Sequence, residues 1–156
     1  MIDERRAVLR AVCDTVYPRI ERDDDPDGFF ARSASEMGLP EAVEDLIEQI
    51  PDETIRGGLE QLLDVLGQQG YLRMPSQDSR EQLLRNLALA SPDAAAGVSA
   101  LAGMTLFLAY GAPDPNSGLN PNWKTFGYPG PSGVPAQVPK LLDVKTPADG
   151  DTIDAD

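Results

Sequence analysis

Apolar positions recur at helical spacing from the start of the chain to Gly111, and the pattern then stops. Leu9, Val12, Cys13 and Val16 share one face of a segment that Asp3 can cap and Pro18 ends. Asp27 is placed to cap a short helix in which Phe30, Ala34 and Met37 align, with Gly38 suited to a left-handed end. Pro40 sits in the first turn of a third stripe, Val43, Leu46, Ile47 and Ile50. Ile55, Leu59, Leu62, Leu63 and Leu66 form the next face. Gly57 and Gly58 weaken it and imply either a close neighbour or a kink.

Gly67 to Ser76 reads as a loop, and Asp78 with Glu81 resembles a capping box ahead of Leu83, Leu84 and Leu87. Ser91-Pro92-Asp93 combines a cap, a first-turn proline and an acid at the positive dipole end. The helix it opens is apolar nearly all round and is expected to be central, closing at Gly111. The expected fold is therefore mainly α: a helical domain of five to six helices over residues 1–111, then an arm over 112–156. Eight of the chain's 14 prolines fall between Pro113 and Pro147, which rules out a second helical domain there.

Composition narrows the function classes. Thirteen Lys plus Arg against 26 Asp plus Glu give a formal net charge of −13, which repels phosphate backbones and anionic lipid. The most apolar run, Ala94 to Tyr110, has 17 residues and is rich in Ala and Gly; a span needs about 20. No membrane span is expected. The opening MIDERRAVLR carries mixed charge and no apolar segment, and Cys13 has no disulfide partner, so the expectation is a reducing, cytoplasmic location. Cys13 lies on an apolar helix face, where a buried thiol is the better reading than a nucleophile.

The chain contains no histidine, which removes the commonest general base and metal ligand. Asp23, Asp25, Asp27 and Gly28 match the opening positions of an EF-hand calcium loop, but the closing bidentate position is Ala34. A solvated acidic turn is the expected outcome. Gly57-Gly58 lies within a helical pattern and is no dinucleotide fingerprint. The carboxylates Glu41, Glu44 and Asp45 lie on a polar helix face. No catalytic, cofactor-binding or metal-binding residue emerges.

One unusual segment remains, NPNWKTFGYPGP, Asn120 to Pro131, which holds the only tryptophan. Trp123, Phe126 and Tyr128 are its candidate interface residues. They either plug the helical domain or dock on another domain or subunit, and they are expected to be more exposed in the isolated chain than in a complex.

Three stretches, LRAVCDTVYPR with DDDPDGFFAR, NPNWKTFGYPGP and TPADGDTIDAD, resemble the N-terminal region of FAD-dependent GMC oxidoreductases of the long-chain alcohol oxidase type. The helical part is also similar to the small subunit of gluconate 2-dehydrogenase. The resemblance implies a non-catalytic accessory domain that packs against an FAD-binding body. The alternative is a free-standing small subunit that binds a separate flavin dehydrogenase. FAD would belong to that body or partner and not to this chain, which has neither the G-x-G-x-x-G turn nor the histidine such enzymes use.

Overall fold

The computed structural model describes residues 1–25, 28–112, 120–124 and 127. The expected capping role of Asp27, the candidate residues Phe126 and Tyr128, and nearly all of the arm lie outside them. Among the described residues five α-helices occur and no strand: α1 (Asp3–Val16), α2 (Leu39–Glu48), α3 (Glu53–Gln68), α4 (Gln77–Ala90) and α5 (Pro92–Tyr110). Three short 3-10 turns, Ser35–Met37, Tyr71–Arg73 and Pro121–Lys124, complete them.

Local chemistry sets most of the helix starts. The Asp52 carboxylate accepts from the backbone N–H groups of Thr54 and Ile55 at 2.8 and 3.2 Å, satisfying donors that α3 leaves open. Ser91 does the same for Ala94 at the start of α5. The capping box of α4 is formed by Ser76 with Ser79, two residues before the expected pair Asp78 and Glu81. The short hydroxyls reach this backbone directly, and Glu81 instead accepts from Gln77 and Arg85 at 3.3 and 3.2 Å. Asp3 is the first residue of α1 and Ile2 occupies the cap, so the acid acts there on the helix dipole and pairs with Arg6 one turn on, at 3.3 Å. Gly38 precedes α2 with φ of 71°, a left-handed geometry that L side chains resist.

The expected helix around Phe30 is reduced to the turn Ser35–Met37. The reason is Asp25. Its carboxylate accepts from the N–H groups of Phe29, Phe30 and Ala31 at 2.8 to 3.0 Å, which holds the chain in a loop. This loop turns Phe29 fully inward and leaves Phe30 at its edge.

The core is built from Val8, Leu9 and Val12 of α1, Val43 and Ile47 of α2, Leu63 and Leu66 of α3, and Leu101 of α5. Tyr71 joins them fully buried from the α3–α4 connection, its hydroxyl donating to Thr15 Oγ1 at 2.8 Å. Arg5 ties α1 to α3 with paired bonds to Asp64, both 2.7 Å, and a third to Glu60. Asp14 ties α1 to the Ser35 turn by accepting from the backbone N–H and hydroxyl of Ser35.

α5 packs against each of the other four helices, as its apolar sequence implies. It approaches α3 closely at Gly97, where an added Cβ would lie 2.9 Å from Cδ2 of Leu62. Gly57 and Gly58 have open space around them, so the close neighbour expected there is absent. Length and a mean hydropathy of 1.3 place α5 in the range of a spanning helix, which a core helix also reaches. It is not buried all round. Ala96, Ser99, Gly103, Leu106, Phe107 and Tyr110 recur at three- and four-residue steps and form one exposed stripe.

Candidate partner-docking site

The C-terminal end of α5 carries the one constructed polar site in which the NPNW stretch takes part. A helix leaves its last carbonyls without intrahelical donors. Here Asn120 donates Nδ2 to the carbonyls of Leu108, Ala109 and Ala112, the shortest at 2.7 Å. Asn122 donates Nδ2 to Ala109 at 2.6 Å, and its own N–H is held by Asn120 Oδ1 at 2.9 Å. Trp123 donates Nε1 to the carbonyl of Tyr110 at 2.8 Å. Asn120, Asn122 and Trp123 are all buried.

This geometry corrects the expectation that Trp123 is exposed in the isolated chain: its residual exposure is 6%. A helix end with open acceptors lies within reach of the indole donor, and the ring gains apolar cover at the same place. Segment 120–124 therefore belongs structurally to the helical domain, although it lies beyond the expected boundary at residue 111. Two asparagines flanking a proline, with an indole directly after, bring together side chains that all donate N–H groups. That was the available signal for a helix-end clamp.

Beside the clamp lies an aromatic cluster. Tyr17 meets Phe29 and Tyr110 edge-on, with ring centroids 6.1 and 5.7 Å apart, and Phe29 meets Phe30 at 4.9 Å. Burial, and then the neighbouring Tyr110, push the Tyr17 phenol up to about 12. Arg22 lies over the Phe30 ring at 4.7 Å and pairs with Asp24. Past Tyr110 the surface opens outward to Leu106 and Phe107, the latter 58% exposed.

The other sequence candidates are occupied by structural work. Asp25 spends its oxygens on backbone donors and Asp24 on Arg22. Among the described residues no cluster has a metal-binding arrangement. Cys13 is fully buried, and burial pushes its thiol up to about 11, the opposite of activation.

A groove of about 380 Å³ between α1 and α2 is lined by Glu41, Glu44, Asp45 and Glu48 on one side and Arg6 and Arg10 on the other. Its charges pair with each other: Arg6 with Glu44, Arg10 with Glu41, and the N-terminal ammonium with Glu44 and Glu48. Burial alone would raise Glu44, but Arg6 and the ammonium hold it below the usual carboxylate range. Neither acid–base chemistry nor ligand capture follows from such a groove.

No known protein family, curated protein or solved structure matches the chain.

Proposed function

We propose that this chain is a non-catalytic helical domain that packs against a flavin-dependent alcohol oxidoreductase body of the GMC type. What supports the reading is the resemblance of the three stretches named above to such enzymes; the clamp of Asn120, Asn122 and Trp123 on the end of α5 makes Trp123 a plug of the helical domain and removes it as the docking contact. The NPNW stretch is one of the three that resemble such enzymes, and it is anchored on the end of α5. The FAD and the reacting histidine are assigned to the body.

The test has two parts. The chain mixed with FAD is expected to give the spectrum of free flavin; a stoichiometric bound-flavin spectrum would overturn the assignment. The DNA following the Asp156 codon is expected to encode, in frame or in an adjacent gene, a protein with a strand–G-x-G-x-x-G turn. In frame, the two parts are one polypeptide; in a separate gene, this chain is a small subunit. Absence of both would remove the proposal.

A further inference from the structure

We draw no further inference here: the strongest candidate, the exposed apolar face of α5 at Leu106 and Phe107, carries nothing because nothing in the structure shows what covers it.

Discussion

The indole N–H of Trp123 closes on the backbone carbonyl of Tyr110 at 2.8 Å, so the only tryptophan reports directly on the end of α5. Its emission in the isolated chain should be blue-shifted and poorly quenched by iodide. Trp123→Phe keeps an aromatic ring and removes the donor; loss of one such bond should cost about 0.5–1.5 kcal/mol in urea unfolding. A red, freely quenched emission would contradict the clamp.

Asn122 offers a sharper test because it is buried and holds Ala109's carbonyl at 2.6 Å. Asn122→Ala removes the shorter of the two side-chain donors on that carbonyl and leaves Asn120 Nδ2 at 3.3 Å, and the expected loss is about 0.5–1.5 kcal/mol. Amide exchange should accelerate in the last turn of α5 and stay slow in α1. Uniform acceleration across the helices would place the effect elsewhere.

Two glycine sites should respond in opposite directions. Gly57→Ala and Gly58→Ala meet open space in an exposed helix, and each should stabilise by about 0.5–1 kcal/mol. Gly97→Ala drives a Cβ to 2.9 Å from Cδ2 of Leu62, forcing that side chain to move, and should destabilise by about 1–3 kcal/mol. Thermal melts of the three variants check both signs.

Cys13 makes stability depend on alkaline pH. Burial raises its thiol from 9.0 to about 11, so the folded state holds the proton longer than the unfolded chain. The contribution is fully present below pH 9.0 and is lost as pH rises towards 11. Cys13→Ala should flatten the melting temperature against pH across that window. The wild-type thiol should resist iodoacetamide until urea unfolds the chain. Prompt alkylation at neutral pH would refute its burial.

The long helices were legible because their periodic stripes are consistent over several turns: α1, α3 and α5 fall where Leu9 to Val16, Leu59 to Leu66 and Ser91 to Gly111 place them. What escaped was set by tertiary geometry over short stretches. Tyr71 sits in a three-residue turn with no period to reveal it, and its burial depends on a hydroxyl partner, Thr15, on a distant helix. Ile55 is in register with the α3 stripe yet 56% exposed. Phe29 and Phe30 are adjacent, and only the Asp25 loop decides which turns inward. At the candidate site, Trp123 stood out by composition. That its partner is a helix end could not be read from spacing, because carbonyl acceptors leave no mark in sequence.

The ion pairs that knit α1 to α2 and α3 draw their cations from arginine and the N-terminal amine. Lysine is absent before Lys124 and recurs only at Lys140 and Lys145. Amine-directed reagents therefore find almost nothing to acylate on the bundle, whose one α-amino group is engaged by Glu44 and Glu48. A lysine cross-linker added to an assembly would address the turn at Lys124 and the arm at Lys140 and Lys145, and each captured neighbour would map onto those three positions without modifying the five helices.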